Sequence, residues 1–340
     1  MERVCVIGCG DRGRVHARAW SEQADANVVA VCDVLPERVA ALAAEVGASQ
    51  YLDWREAIDH SGADVVSVCV PTSLHAQIAC FAAERGMHVL GEKPLALTVD
   101  EGERMIRVAR TRGVVYMPCF QYRDDPLNQE LRRAFLEGVF GGPVTFRFSD
   151  VREVRPKTVM HSRSVNGGVV IDMACHIFDL MRWITGTEPV RLYAAGHVFG
   201  RGKPRLSGIQ DLAIDEASIE LTMAGGHHLQ MYLNWGMPEG FPATSPEYCM
   251  LGPALVMRYR PGPQAALEIQ SGPETRMESL SPGVGTAVRV DRMVRAIRGE
   301  ADPDVTGEDA LIALKLSYAA LESIESGKAV ELARTESPRT

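Results

Sequence analysis

Val4-Cys5-Val6-Ile7-Gly8-Cys9-Gly10-Asp11-Arg12-Gly13 reads as an apolar strand, a glycine-rich turn and the start of a helix that continues through Val15, Ala19 and Trp20. Glycines at 8, 10 and 13 let the chain turn sharply and let a pyrophosphate approach the backbone N–H groups of a helix N-terminus, where the dipole favours negative charge. A second apolar run, Val28 to Cys32, ends at Asp33, twenty residues past Gly13, where a carboxylate can accept bonds from a ribose diol. The pattern predicts a dinucleotide site in which Gly8, Gly10, Asp11, Arg12, Gly13 and Asp33 line the cofactor. Asp33 would repel a 2′-phosphate, and no basic residue follows it before Arg38, so NAD is expected rather than NADP. The plainer alternative is three glycines in an ordinary turn and a solvated acid at a strand end.

Outward from this turn, apolar runs alternate with helical patterns: Pro36 to Glu45, Asp64 to Val70, Ser73 to Arg85, His88 to Leu90 and Thr98 to Arg112. That order predicts parallel βα winding, a Rossmann doubly wound sheet. Thr98 with Glu101 forms a capping box, and Gly113 is a natural stop before Val114 to Met117. The first domain is expected to span 1–120. Beyond it the pattern becomes strict alternation, as in Val144, Phe146, Phe148; Ala217, Ile219, Leu221, Met223; and Leu229, Met231, Leu233, Trp235. Period two with one apolar face predicts an α+β domain over 121–332 with a large, mostly antiparallel open sheet. Helices near Gly168–Ile184 and Gly285–Arg298 are expected to cover it, with a terminal helix near Thr306–Ser326. Segments Val151–Ser164 and Val198–Leu212 read as loops, and 333–340 as a flexible tail.

At 340 residues the chain exceeds the usual size of one core, which also predicts two domains. A net charge of −8 argues against a nucleic-acid partner, because phosphate binding needs a basic surface. With no apolar leader and no membrane-length apolar run, the sequence predicts a cytoplasmic protein without a membrane partner. The eight cysteines show no CxxC pair and fall largely in strand-like runs, so they read as reduced core residues.

Chemistry concentrates in Gly167-Gly168-Val169-Val170-Ile171-Asp172-Met173-Ala174-Cys175-His176-Ile177-Phe178-Asp179. Asp172, His176 and Asp179, four and three residues apart, share one face of a helix that is otherwise apolar. His176 can exchange a proton while a carboxylate orients its ring. A structural His bonded to a neighbouring acid fits the same pattern, and a metal centre fits poorly, since no further His or Cys stands at ligand spacing; no metal is expected. Lys93 follows the strand His88–Leu90 at the carboxyl edge of the parallel sheet, where it can hold a substrate oxygen or be an ordinary surface lysine.

These residues resemble the glucose-fructose oxidoreductase and inositol dehydrogenase family (Gfo/Idh/MocA), from Val4 to about Leu332. The motifs are Gly8, Gly10 and Gly13 with His16; Pro71-Thr72-Ser73-Leu74-His75; His88-Val89-Leu90-Gly91-Glu92-Lys93-Pro94; Gly167-Gly168 leading to Asp172, His176 and Asp179; and Gly307-Glu308-Asp309. The resemblance implies a dinucleotide-binding domain followed by one whose open sheet makes homodimer or homotetramer contacts. It implies Lys93, Asp172 and His176 as the catalytic set, with Pro71, Thr72, His75, Glu92 and Lys93 along the cofactor and Arg123 facing nicotinamide and substrate. The implied activity is hydride transfer between NAD and a secondary alcohol or ketone of a sugar, cyclitol or derivative. An NAD-dependent glycosidase working by transient oxidation and elimination, or a non-catalytic NAD sensor, is the alternative on the same scaffold.

Substrate identity is marked only by hints. Arg152, Arg155, Lys157, His161 and Arg163 precede the catalytic helix and can line the mouth of its site, where they would receive a carboxylate or phosphate, although basic loop residues are commonly just solvated. Tyr232 and Asn234, on the open sheet face, can bind hydroxyls or meet another subunit.

Overall fold

The computed structural model describes residues 1–242, 246–261, 265–281, 283 and 285–332; the tail expected at 333–340 lies outside the described residues. Two compact units emerge, Met1–Gln121 with Val284–Leu314, and Tyr122–Gly283 with the chain from Lys315 onward.

In the first unit, β1 (Glu2–Ile7), β2 (Ala26–Cys32), β3 (Ser49–Tyr51), β4 (Val65–Val68), β5 (His88–Gly91) and β6 (Tyr116–Pro118) form one sheet in the order β3-β2-β1-β4-β5-β6. Every neighbouring pair is parallel. The central strands are largely apolar because helices cover both faces, so Val4 to Ile7 and Val65 to Val68 are buried without alternation. The intervening helices are α1 (Asp11–Glu22), α2 (Pro36–Val46), α3 (Trp54–His60), α4 (His75–Glu84) and α5 (Val99–Arg112). Thr98 and Glu101 close the expected capping box on α5, and Gly113 ends it in the left-handed region at φ 66°. Strand order reverses between β1 and β4, and the crevice beyond their carboxyl ends is where such sheets bind ligands.

One expectation is overturned here. The helix Gly285–Ile297 does not cover the antiparallel sheet: its Val290, Met293 and Val294 are buried with Val4, Trp20, Leu90 and Met117 in the parallel-sheet core. Its apolar stripe predicts a helix with one buried face, but periodicity carries no address for the sheet that buries it.

The second unit contains α6 (Pro126–Leu136), β7 (Thr145–Glu153), α7 (Gly168–Asp172), α8 (Ala174–Thr185), β8 (Pro189–His197), β9 (Glu216–Met223), β10 (His228–Met237), β11 (Glu247–Leu251), β12 (Val256–Arg260), β13 (Ala266–Ser271), β14 (Glu274–Ser279) and β15 (Val330–Glu331). Nine strands run in the order β14-β13-β12-β11-β7-β10-β9-β8-β15. Only β7 and β10 pair in parallel; the rest are antiparallel. Alternation decides the faces: Phe146, Phe148, Leu229, Met231 and Leu233 are buried under α7 and its neighbours, while Arg147, Glu220 and Gln230 point to the exposed side. That side carries a hollow of about 840 Å³ lined by Arg147, Ser149, Gln230, Tyr232, Tyr248 and Arg258. The expected loop at Val151–Ser164 begins later than read, because Val151 to Glu153 extend β7.

All eight cysteines are free thiols. Burial, with the Asp33 charge beside it, pushes the Cys9 thiol up to about 12, which leaves it unreactive. No helix among the described residues is long and apolar enough to cross a membrane.

Candidate functional site

The glycine turn shows which of its glycines the fold itself requires. Gly8 has φ +97°, and a Cβ there would meet the Cys69 carbonyl oxygen at 2.3 Å; a Cβ on Gly13 would lie 1.6 Å from the Gly8 oxygen. Gly10 is different. Its φ of −75° suits any residue, and the nearest atom to its virtual Cβ is an Arg38 guanidinium nitrogen at 4.0 Å. The protein's own packing therefore does not require glycine at 10. Gly10 caps α1 without a side-chain bond, which leaves N–H groups facing outward at the positive end of the helix. Asp33 is fixed at the end of β2 by two backbone donors, Cys9 N–H to Oδ2 at 2.8 Å and Leu35 N–H to Oδ1 at 3.0 Å. Both features fit a dinucleotide, with pyrophosphate on the turn and ribose on Asp33.

The Glu92-Lys93-Pro94 segment is anchored to the same turn. Glu92 is buried and accepts from Arg12 Nε at 2.6 Å, from His16 Nε2 at 3.0 Å and from the Lys93 N–H at 3.2 Å. His16 Nδ1 meets the Ser67 hydroxyl at 2.8 Å, and Arg12 reaches Thr286 Oγ1 at 3.2 Å. Burial alone would raise the Glu92 carboxyl, but the His16 bond and the Arg12 charge outweigh it and hold the group well below the usual carboxylate range. His16, Glu92 and Cys119 could face a cation, their ligand atoms lying within 4.8 Å of one another, yet Arg12 already supplies the positive charge on that carboxylate. The Lys93–Pro94 peptide is cis. His75 bridges the loop after β4 to it, with Nε2 3.0 Å from the Val70 carbonyl and Nδ1 2.8 Å from the Pro94 carbonyl. Pro71 and Thr72 form the turn between them. Glu92 and His75 are thus braces that hold Lys93 at the strand end, and Arg12 is tied to Glu92.

In the second unit the expected single helix is broken at Met173, whose φ is −102°, so Asp172 is the last residue of α7 and His176 stands in the first turn of α8. Gly167 and Gly168 enter this segment at φ +83° and +74°; a Cβ on Gly168 would meet the Ala213 side chain at 2.5 Å. The Cys175 thiol donates to the Asp172 carbonyl at the break, 3.3 Å away. Asp172, His176 and Asp179 are all buried.

The 3-10 turn Gln121–Asp124 then divides the three. Arg123 donates to Asp179 through Nε at 2.8 Å and through a second guanidinium nitrogen, an ion pair with almost no solvent exposure. Tyr122 stacks flat on His176, with centroids 4.3 Å apart and planes 12° apart. Asp179 is the counter-charge of Arg123.

His161 is buried, accepts the Arg155 N–H at Nε2 (3.1 Å) and points Nδ1 at Asp215 from 3.6 Å, so it braces a loop. Arg163 and Lys157 are exposed. Asn234 is buried, takes the Gly236 N–H at 2.8 Å and donates to the Tyr232 hydroxyl at 3.2 Å, which makes it a backbone brace. The Tyr122 stack went unread, because a partner 54 residues away leaves no local signal beyond an aromatic after Phe120 and Gln121.

Comparison with known proteins bears on the same two units. Residues 2–120 match the model of an oxidoreductase family with an NAD-binding Rossmann fold, and residues 128–252 match the GFO/IDH/MocA C-terminal domain. The chain belongs to the Gfo/Idh/MocA oxidoreductase family. Among its relatives, the myo-inositol 2-dehydrogenase of Thermotoga maritima is 26% identical over 336 residues, 97% of this chain and 98% of that one. The 1,5-anhydro-D-fructose reductase of Ensifer adhaerens is also 26% identical, over 98% of this chain and 99% of its own. The solved myo-inositol 2-dehydrogenase of Lactobacillus plantarum superposes with a TM-score of 0.81 at 23% identity, covering 98% of this chain and 99% of that one, and so shares the fold. The chain is therefore an oxidoreductase whose first domain is of the NAD-binding type.

Proposed function

We propose that this protein is an NAD-dependent dehydrogenase that interconverts a secondary alcohol and ketone on a sugar, cyclitol or derivative. The observation that carries the reading is the placing of Asp172 and His176 on either side of the α7–α8 break, with the Tyr122 ring stacked flat on His176. The names of the two relatives, an inositol dehydrogenase and an anhydrofructose reductase, support polyhydroxylated rings as the substrate class. When bound, the nicotinamide supplies the hydride acceptor. His176 takes the proton from the reacting hydroxyl, held in plane by Tyr122; Asp172 orients the ring and balances the imidazolium; Lys93 donates to the reacting oxygen and stabilises its developing charge. The carboxylate of Asp33 favours NAD by repelling a 2′-phosphate. The exposed side of the nine-stranded sheet serves as a contact between copies, and the free thiols suit the cytoplasm.

The test is NADH absorbance with a panel of sugars, cyclitols and their acids, run in parallel with NADP. Accumulation of NADH with at least one polyol, and slower reduction of NADP, is expected. Glycoside cleavage without net NADH, or no reaction with any member, would contradict the reading.

A further inference from the structure

Arg155, just past β7, is a built feature of the second unit. Its N–H is held by His161, the preceding Val154 N–H donates to the Met237 carbonyl at 3.0 Å, and the Val154 carbonyl accepts from Arg205 at 2.8 Å. The guanidinium carbon stands 5.1 Å from the centroid of the Trp235 ring, and Trp235 is buried. That indole in turn donates Nε1–H to Asp150 at 3.1 Å. Backbone and side chain are therefore both fixed, unlike those of a solvated loop arginine.

What this arginine lacks is an acceptor. In the same unit Arg123 holds Asp179, Arg152 holds Asp150 at 2.7 Å, and Arg182 holds Glu188 at 2.7 Å. Arg155 has no carboxylate within ion-pair distance among the described residues, and its Nε is buried without a hydrogen-bond partner. Burial, then the neighbouring Arg152 charge, weaken its hold on its proton; Asp150 and Asp172 act on it electrostatically in the opposite sense. Asp150 is already occupied by Arg152 and Trp235; the 3-10 turn Thr158–His161, whose last residue holds the Arg155 N–H, packs against α7, which ends at Asp172. A half-buried cation without an acceptor carries a desolvation cost that a bound anion would offset. A guanidinium fork presents paired donors matched to a carboxylate or a phosphate.

We infer that Arg155 is the specificity residue of the Asp172–His176 site and that it selects a polyol bearing an anionic group, a carboxylate or a phosphate ester. The inference rests on the proposed dehydrogenase reading for its site but not for its test. Calorimetric binding to the NADH-loaded protein is measured for a neutral sugar, its aldonate or uronate and its phosphate ester, with wild type and with Arg155→Met and Arg155→Lys. Wild type should bind one of the anions more tightly than the neutral parent, and Arg155→Met should weaken that anion by about 10- to 100-fold, the loss expected for a charge-assisted bond. The methionine should leave the neutral parent unchanged and lysine should rescue in part; whether acid or phosphate responds identifies the anion. Equal binding of neutral and anionic forms by wild type, no binding of either anion, or an equal loss for all three ligands in Arg155→Met would overturn it. Arg155-dependent binding without turnover would sink the dehydrogenase reading alone, and turnover of the anionic polyols that ignores Arg155 would sink this inference alone.

Discussion

Single residues divide into positions that hold the fold and positions proposed to hold a ligand. Gly10→Ala places a methyl in no more than ordinary contact with the tip of Arg38, so its melting temperature should match wild type while NAD affinity, read by calorimetry, falls at least about tenfold as the pyrophosphate is pushed off the N–H groups. Gly13→Ala drives a methyl into the Gly8 carbonyl, and that variant should instead melt early or fail to fold. An equal loss of melting temperature in both would mean that the turn is merely tight. The same division runs through the acid stripe. Asp179→Asn strands the buried Arg123 charge and should cost about 3 to 5 kcal/mol in denaturant unfolding, whereas Asp172→Asn should fold normally and lose turnover. The sequence shows three ionisable groups on one face, which was legible from spacing; that Arg123 would claim one of them was not, because an ion pair 56 residues apart has no periodicity to reveal it.

Elements carry the next layer. Glu92 joins the end of β5 to α1 through His16 and Arg12, so its protonation should loosen the first unit. Its folded-state value lies below the 4.5 of an unpaired glutamate, so the ionised form is the one the fold prefers. This contribution is complete above pH 4.5 and is lost as the pH falls below it toward the folded value. Glu92→Gln should therefore melt earlier than wild type by a constant margin at neutral pH, and the margin should shrink below pH 4.5. A margin that grows on acidification would show that the carboxylate is not the stabilising form. Capping was readable in advance: Thr98 and Glu101 bracket the start of α5, and Gly113 its end, because those signals are local. The break at Met173 was not, since no proline or glycine marks it in the sequence.

For the whole molecule, the parallel sheet and the nine-stranded sheet both follow from sequence patterns, one from unbroken apolar runs and the other from alternation. Their chain segments do not. The first unit takes back Val284–Leu314, and Val290, Met293 and Val294 complete its core. A fragment ending at residue 121 would expose Val4, Trp20 and Met117 neighbours that those side chains cover, each worth about 1.5 to 3 kcal/mol. It should lack cooperative melting by circular dichroism; a sharp transition like that of the full chain would show that the return segment is dispensable.

On the proposed mechanism, Lys93 and His176 serve one reaction. Steady-state turnover of Lys93→Met, His176→Asn and the double variant, on whichever polyol reduces NAD, tests it most directly. Each single change should lower kcat by about 10² to 10⁴, and the double variant should fall no more than about tenfold below the worse single, as groups acting as a unit do. Near wild-type turnover in either single variant would contradict the account.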